Sequence, residues 1–341
     1  MRKLNKTAAC GILAAALAAG TLSGCSKAID GTKTVATVGD EKVTLGLASY
    51  MVRDQQAQTT SYYNMLMSQY GVSGSASNVW DQKGDDGKTV GESSKDGVMT
   101  TINQLYVLKA HAADYDVTIT DDEEKAIKEA AAEFIKDNDE KILKKLAVSE
   151  DDIVTYLELV TIRSKMHDPM TADVDTEVSA NEKDQTRVTI VKVSTEGTEK
   201  DDDGNTIDLT DEEKAQKKDL AQQVLDKVKA SDDVANADMD ALAKEVDDSL
   251  SATAPAFTTA GDTDDTLDEA VQDAALELKD GEVADKVIEG DDGYYVVRLD
   301  KMLDEDATEN KEKTVISERK SDLFDSTLED WVKEEKIKVK D

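Results

Sequence analysis

Two β-branched runs constrain this chain most strongly. Residues 187–193 (Arg-Val-Thr-Ile-Val-Lys-Val) and residues 294–299 (Tyr-Tyr-Val-Val-Arg-Leu) combine strand-favouring side chains with nearby acidic or glycine-containing turns. Between them, capping motifs that begin at Thr210 and Thr266, together with apolar residues at helical spacing, predict helices. The predicted order is strand, helix, helix, helix, strand, strand. This order predicts one compact α+β unit over residues 184–303.

The chain before this unit has a mainly helical pattern. Residues 35–45 alternate around a Gly-Asp turn and predict a β-hairpin. Apolar residues at helical spacing predict helices from about residue 47 to 70, 96 to 113 and 149 to 166, and Thr120 opens a further helix with a capping box.

The chain ends in another helical pattern. Apolar residues recur on one face from about residue 310 to 335 and predict a long amphipathic helix. Ile337-Lys338-Val339 then predicts a short closing strand.

The first residues have the three parts of a bacterial export signal. Residues 8–20 form an apolar run, shorter than the roughly 20 residues that a membrane-spanning helix needs, and follow a basic start made of Arg2, Lys3 and Lys6. Leu22-Ser23-Gly24-Cys25 resembles the lipobox of bacterial lipoproteins. We predict a signal peptide over residues 1–24, a lipid on Cys25 and a tether over residues 25–34. The alternative is an ordinary secretory signal with a chance cysteine.

The charge of the chain limits its partners. There are 75 acidic against 41 basic side chains, and the net charge is −34. Nucleic-acid binding requires Lys and Arg to neutralise phosphates, so we predict no nucleic-acid partner. Cys10 lies in the predicted signal peptide, which leaves Cys25 as the mature cysteine, and the fold is therefore predicted to depend on burial without disulfides.

The sequence predicts no metal and no cofactor. The histidines, His111 and His167, have no neighbours at metal-ligand spacing. A calcium-loop interpretation of residues 199–210 places Thr210 where a bidentate glutamate is required, so we interpret this segment as a solvated connector.

Several segments resemble the PrsA/SurA-type foldases, which are extracytoplasmic chaperones with a parvulin-like peptidyl-prolyl isomerase domain. Residues 35–44 resemble the first hairpin of that family, residues 273–283 its helix, turn and strand, and residues 293–299 its closing strand. The resemblance implies a SurA-like helical chaperone domain built from residues 35–183 and 304–341, with the α+β unit inserted as the parvulin-like β-α-α-α-β-β domain.

The sequence departs from this family at the positions that matter for catalysis. Active parvulins carry a histidine on the first strand and another on the last strand. The first strand here reads Val188-Thr189-Ile190-Val191, and Tyr295 takes the second position. We predict that Thr189 and Tyr295 supply hydroxyls in their place, the alternative being that both are ordinary strand residues. The resemblance places the proline ring against Val271, Leu276 and Phe257.

The enzyme interpretation stays open at this point. Prolyl isomerisation requires no nucleophile, only a site that binds the twisted peptide more tightly than the planar one. The missing histidines therefore leave the parvulin-like domain either inactive or active through other groups.

The first long helical pattern is rich in Tyr and Met. These side chains adapt to varied partners and offer amphipathic contact area, so we predict that some of them bind clients. The predicted client-binding residues are Tyr50, Tyr62, Tyr63, Met65 and Met67. The alternative is that half of them belong to the core.

The sequence as a whole predicts a membrane-tethered, extracytoplasmic foldase. Its predicted partners are unfolded or nascent secreted polypeptides, the membrane through the lipid on Cys25, and a second copy in a homodimer. The alternative is an envelope lipoprotein that binds a solute or a polymer and has no foldase activity.

Overall fold

The structure is a computed structural model. It describes residues 29–69, 76–197, 207–260, 267–335 and 338–339. The predicted signal peptide and Cys25 lie outside the described residues. The chain forms two compact units: unit 1 contains the described residues up to Asp173 and from Ser321 onwards, and unit 2 runs from Val174 to Lys320.

The described helices and strands are numbered in chain order. The helices are α1 (Leu45–Gln69), α2 (Val90–His111), α3 (Asp121–Asp137), α4 (Glu140–Leu146), α5 (Glu150–Met170), α6 (Ala180–Lys183), α7 (Asp211–Lys229), α8 (Met239–Lys244), α9 (Glu269–Leu276) and α10 (Glu305–Glu334). The strands are β1 (Thr34–Val38), β2 (Glu41–Thr44), β3 (Gln185–Ser194), β4 (Ala252–Thr253), β5 (Ala256–Thr258), β6 (Ile288–Glu289), β7 (Gly293–Lys301) and β8 (Lys338–Val339).

Unit 1 is a helical body with a small antiparallel sheet. The predicted hairpin forms from β1 and β2, and β8 adds to β1 with Ala36 opposite Val339. Phe324 and Leu328, from the second half of α10, are buried in the same core as the hairpin and helices α1 to α5. The C-terminal segment thus packs on the first hairpin and its helices, as the family resemblance implied.

Both histidines of the described chain support this packing of α10. The His111 ring stacks on Trp331 with 4.0 Å between ring centroids and a 15° interplanar angle. The His167 ring lies 5.5 Å from Phe324. Among the described residues, no group of three or more His, Cys, Asp or Glu could hold a metal ion. The two rings therefore have a structural explanation as aromatic contacts.

Unit 2 is built on an antiparallel sheet. Its strand order is β4-β3-β7-β6, and β5 also pairs with β3. The central pair runs from Val188 opposite Leu299 to Ser194 opposite Gly293. Because side chains alternate along a strand, one face of this pair packs on α7 and α8, and the other face packs on α9. The contact between residues 187–193 and 294–299 is the one that the sequence predicted.

The predicted α+β fold class is confirmed, with several changes in detail. Helix α2 begins at Val90 instead of residue 96, because Thr89 and Glu92 form a capping box. Helix α5 continues beyond residue 166 and includes Pro169, since a proline in the last turn costs a single backbone hydrogen bond. The short strands β4 and β5 were not predicted, because their pairing with β3 has no local signal.

The two compact units of the structure have boundaries that differ from those of the predicted domains. Packing divides the chain after Asp173 and after Lys320, and the second division falls inside α10. The division at residues 184 and 303 followed the predicted order of strands and helices and stays a prediction.

Asp54 gives unit 1 a testable pH dependence. It is 7% exposed, and Gln58 Nε2 donates to its Oδ2 at 2.7 Å. Burial raises the pKa of Asp54 above its ordinary value of 3.8, and the Gln58 hydrogen bond opposes that shift. A raised pKa means that the folded state binds the proton more tightly, so this group's contribution is favourable below 3.8 and is lost as the pH rises through the folded pKa.

We therefore expect Asp54→Asn to raise the free energy of unfolding at pH 7 and to change it little at pH 3. Urea denaturation followed by tryptophan fluorescence measures both values in unit 1, where Trp80 and Trp331 lie. A loss of stability of equal size at both pH values would contradict the interpretation, because it would show that the amide disturbs packing.

Candidate functional site

A cavity of about 560 Å³ opens on the face of the unit 2 sheet that packs on α9. Its apolar surface comes from Ile190 on β3, from Pro255 between β4 and β5, and from Leu267 just before α9. Pro255 is tolerated there because it lies between two short edge strands, and its carbonyl still accepts a hydrogen bond from Val188 N–H at 3.1 Å. The volume falls in the range of ordinary small-ligand sites.

The polar end of the cavity is a bonded group of three side chains. Lys192 lies directly opposite Tyr295 in the β3–β7 register, and Asp292 precedes β7 by one residue. The Tyr295 hydroxyl donates to one carboxylate oxygen of Asp292, and the Lys192 ammonium binds the other. Lys192 Nζ also lies 6.0 Å from the centroid of the Tyr295 ring. The register therefore assembles a cation, an anion and a phenol at one corner.

This arrangement fixes the protonation states at neutral pH. Burial, followed by the hydrogen bond to Asp292, raises the pKa of Tyr295 far above its usual range. Burial alone would raise the pKa of Asp292, but its bonds to Lys192 and Tyr295 outweigh that effect and lower it. Tyr295 is thus a neutral phenol whose hydroxyl proton is already hydrogen-bonded to Asp292. It offers oxygen lone pairs, but no free proton, to a peptide in the cavity.

A helix cap and a glycine form the wall of the cavity near α9. The Asp268 carboxylate accepts from Ala270 N–H at 2.9 Å, which caps α9, and from Asp291 N–H at 2.7 Å. A Cβ on Gly290 would stand 2.4 Å from Asp268 Oδ2, so glycine permits this close approach. The capping box predicted at Thr266 lies outside the described residues, and Asp268 is the observed cap.

The two predicted catalytic hydroxyls lie on opposite faces of the sheet. Tyr295 lines the cavity, whereas Thr189 lies on the α7/α8 face, where it donates to Asp300 Oδ2 at 2.7 Å and accepts from Arg298 Nη2 at 3.3 Å. In the observed register Thr189 pairs with Arg298, which also donates to the carbonyls of Val234 and Ala237. The two hydroxyls cannot act on the same peptide bond, so their prediction as one site does not fit the geometry.

The predicted proline-pocket residues belong to the core beneath the cavity. Phe257 and Val271 are fully buried, and Leu276 packs against the same cluster. None of the three lines the cavity. The cavity is lined instead by Lys192, Asp292, Pro255 and Leu267, among others, and none of these four was predicted. Lys192 and Asp292 join Tyr295 through the strand register, and Pro255 and Leu267 come from loops whose approach to the sheet has no local signal.

The predicted client-binding residues of α1 divide into two groups. Tyr50 is 2% exposed and packs edge-on against Phe134 and Tyr156, with centroids 5.5 and 5.0 Å away, so it is a core residue and does not face clients. The others lie beyond Asp54, the last buried residue of α1. In that half Tyr62, Tyr63 and Met65 are exposed, and Met67 is half-buried.

Apart from the short strands β4 and β5, residues 184–303 of unit 2 follow the β-α-α-α-β-β order that the family resemblance implied. Residues 199–312 match the family model of the PPIC-type PPIASE domain. This match confirms the predicted parvulin-like domain in this part of the chain. Strand β3 lies before the matched residues and completes the sheet.

Solved structures that are similar to this chain include the foldase protein PrsA of Lactococcus lactis. It is 14% identical, the alignment covers 91% of this chain and 95% of that chain, and the TM-score is 0.36. PrsA of Bacillus cereus is 17% identical over 76% of this chain and 93% of that chain, with a TM-score of 0.31. A SurA-like chaperone structure from Campylobacter jejuni is 10% identical over 90% and 99%, with a TM-score of 0.30.

These solved structures are the PrsA and SurA-like proteins that the sequence motifs resemble. No curated protein sequence matches this chain. None of the described helices is long and apolar enough to span a membrane.

Proposed function

We propose that this chain is an extracytoplasmic foldase that binds unfolded secreted polypeptides and holds proline-containing segments in the cavity of its PPIC-type domain. The observation that carries the proposal is the cavity itself, in which the apolar surfaces of Ile190, Pro255 and Leu267 adjoin the ring of Tyr295. A cavity with an apolar wall beside polar groups suits a proline ring and its flanking carbonyl.

The main role of the PPIC-type domain in this proposal is to bind proline segments, and catalysis of prolyl isomerisation is secondary. A catalyst must hold the twisted amide more tightly than the planar one, which requires groups that are free to interact with the twisted carbonyl or nitrogen. The proton of Tyr295 and the ammonium of Lys192 are both engaged by Asp292. Catalysis would require these bonds to break first, so we expect slow turnover at most.

The outer half of α1 supports chaperone activity. Tyr62, Tyr63 and Met65 are 56%, 40% and 59% exposed, and the rings of Tyr62 and Tyr63 meet edge-on at 6.2 Å. Large exposed apolar and amphipathic side chains on one helix are typical of an interaction site. The lipid on Cys25 would hold this surface at the outer face of the cell membrane, and that residue lies outside the described chain.

Two assays on the mature chain with Cys25→Ser test this function. We expect suppression of the aggregation of a chemically unfolded model protein at a one-to-one ratio, together with little acceleration of a proline-limited refolding phase. Uncatalysed isomerisation takes tens of seconds or longer, so a catalytic effect would be easy to detect. A histidine-bearing parvulin serves as the positive control for catalysis.

The matched variant for the chaperone assay is Tyr62→Ser with Met65→Ser, which removes the exposed apolar surface of α1 and leaves the buried half unchanged. We expect it to suppress aggregation less well than the parent. Aggregation that is unaffected by the parent across several model proteins would overturn the foldase proposal. A strong acceleration of refolding would overturn the proposal that binding dominates over catalysis.

A further inference from the structure

Asp292 binds two polar donors at one corner of the unit 2 cavity. The Tyr295 hydroxyl donates to one of its carboxylate oxygens, and the Lys192 ammonium binds the other. We propose that Asp292 is an inhibitory positioning residue that keeps the PPIC-type domain from catalysing prolyl isomerisation, and that its removal makes the cavity catalytic. This inference rests on the proposed function of the cavity as a site that holds proline segments.

The chemistry of the peptide bond explains why a free donor matters. In a planar peptide the nitrogen lone pair is delocalised into the carbonyl group, and twisting the bond returns that pair to the nitrogen. A hydrogen-bond donor beside the proline nitrogen therefore stabilises the twisted peptide more than the planar one, which is the condition for catalysis. Tyr295 lies in the same cavity as the apolar surfaces of Ile190, Pro255 and Leu267. Its phenol can be this donor only when its proton is not bonded to Asp292.

Asp292 also makes the Tyr295 hydroxyl a weaker donor. Burial raises the pKa of Tyr295 most, and the hydrogen bond and charge of Asp292 raise it further, followed by the charges of Asp268 and Glu196. Lys192 Nζ stands 6.0 Å from the centroid of the ring, and its positive charge favours the phenolate. Removal of Asp292 therefore lowers the pKa of Tyr295 towards its ordinary value of 10.0. A more acidic phenol donates a stronger hydrogen bond.

The side chain of Asp292 is not needed to hold the turn in which it lies. Backbone hydrogen bonds hold this turn, from Thr195 N–H to the Asp292 carbonyl at 3.0 Å and from Gly290 N–H to the Gly293 carbonyl at 3.0 Å. The Lys192 and Asp292 side chains are both partly exposed, so water can solvate the ammonium once the carboxylate is removed. We therefore expect truncation of Asp292 to free both donors and to keep the fold.

A peptide assay of prolyl isomerisation on the mature chain with Cys25→Ser tests the inference. We expect Asp292→Ala to raise kcat/KM about tenfold, mainly through kcat, because the freed donor acts on the twisted peptide. A fully preorganised donor contributes about 10²-fold or more. The affinity for the same labelled peptide, measured by fluorescence anisotropy, should change little. Asp292→Asn should give a smaller gain, because its amide oxygen still accepts from Tyr295 after the charge is lost.

Two further variants separate the role of Asp292 from a general effect of charge. Adding Tyr295→Phe to Asp292→Ala should abolish the gain, since the donor is then absent. Asp285→Ala is the matched control: this exposed carboxylate also pairs with a lysine, Lys229, at 3.4 Å, and it does not line the cavity. We expect no gain with this control.

An alkaline titration followed by tyrosinate absorbance gives a readout that a purely structural role would not change. The difference between each chain and its Tyr295→Phe counterpart isolates this residue among the nine tyrosines. The pKa of Tyr295 should be lower in Asp292→Ala than in the parent. An equal pKa in both chains would contradict the inference. Circular dichroism verifies folding, and Asp292→Asn carries the same tests if the alanine variant does not fold.

The outcomes separate this inference from the function on which it rests. Peptide binding by the parent without a gain in Asp292→Ala, or with an equal gain in Asp285→Ala, would overturn the inhibitory role and leave proline binding intact. A gain that survives Tyr295→Phe would also overturn it. Failure of the parent to bind the peptide would overturn the proposed function itself. Equal binding of a matched peptide with Ala in place of proline would do the same.

Discussion

Replacing Gly46 by alanine is expected to destabilise unit 1 by about 3 kcal/mol, at the upper end of the cost of overpacking a core. A Cβ at this position would stand 2.2 Å from Asp152 Oδ2 and 2.7 Å from the backbone oxygen of Ala147. Neither oxygen can move away from the added Cβ without breaking other contacts. The Ala147 oxygen belongs to the main chain, and Asp152 is buried while it accepts from Thr44 Oγ1 at 2.5 Å and from Ser149.

Gly97→Ala is the matched control for this prediction. Gly97 is also helical, but a Cβ there would meet nothing within 4 Å. Alanine has the higher helix propensity, so we expect this variant to be more stable by up to about 1 kcal/mol. Urea denaturation followed by tryptophan fluorescence reports on unit 1, where both tryptophans lie. Equal effects of the two substitutions would show that the first turn of α1 can shift away from α5.

Replacing Arg298 by leucine is expected to cost unit 2 about 3 to 5 kcal/mol, the range measured when one partner of a buried ion pair is removed. The side chain of Arg298 is 10% exposed and joins three structural elements. It bonds Asp300 Oδ1 at 2.7 Å and the carbonyls of Val234 and Ala237 at 3.1 and 2.8 Å. Leucine would leave these acceptors without their donor on the α7/α8 face of the sheet.

Thr189→Val is the control in the same network, because it removes a single hydroxyl and keeps the shape of the side chain. We expect a loss of about 1 kcal/mol. Circular dichroism during urea denaturation measures both variants. Since Thr189 lies on the face opposite the cavity, binding of proline peptides should be unchanged in Thr189→Val. Loss of peptide binding without loss of stability would restore Thr189 to the site.

Much of the local structure could be predicted from short sequence motifs. The capping boxes at Thr120, Ser149 and Thr210 all form, because a hydroxyl and a carboxyl side chain three residues apart satisfy each other's backbone donors wherever a helix begins. The paired strands of unit 2 also follow from their β-branched composition and turns. These features depend on neighbours in the chain, so the sequence reveals them directly.

The candidate site could be predicted less completely, and the reason is strand register. From Val188 onwards each odd-numbered residue of β3 pairs with an even-numbered residue of β7, so Thr189 and Tyr295 point to opposite faces. A shift by one residue would have placed them on the same face. Register is fixed by packing on both sides of the sheet, and no local pattern in either strand contains it.

The sequence by itself determined most of the helices and the two long strands of unit 2, that a strand-and-helix unit lies between two helical segments, and that the parvulin histidines are replaced. Tertiary structure alone decided that Tyr50 is core, that Thr189 is outside the cavity, and that Lys192, Asp292 and Tyr295 form one group. The features that the sequence determined depend on interactions between residues that are close along the chain. The features that tertiary structure decided depend on which faces are buried together, which is decided when distant segments pack.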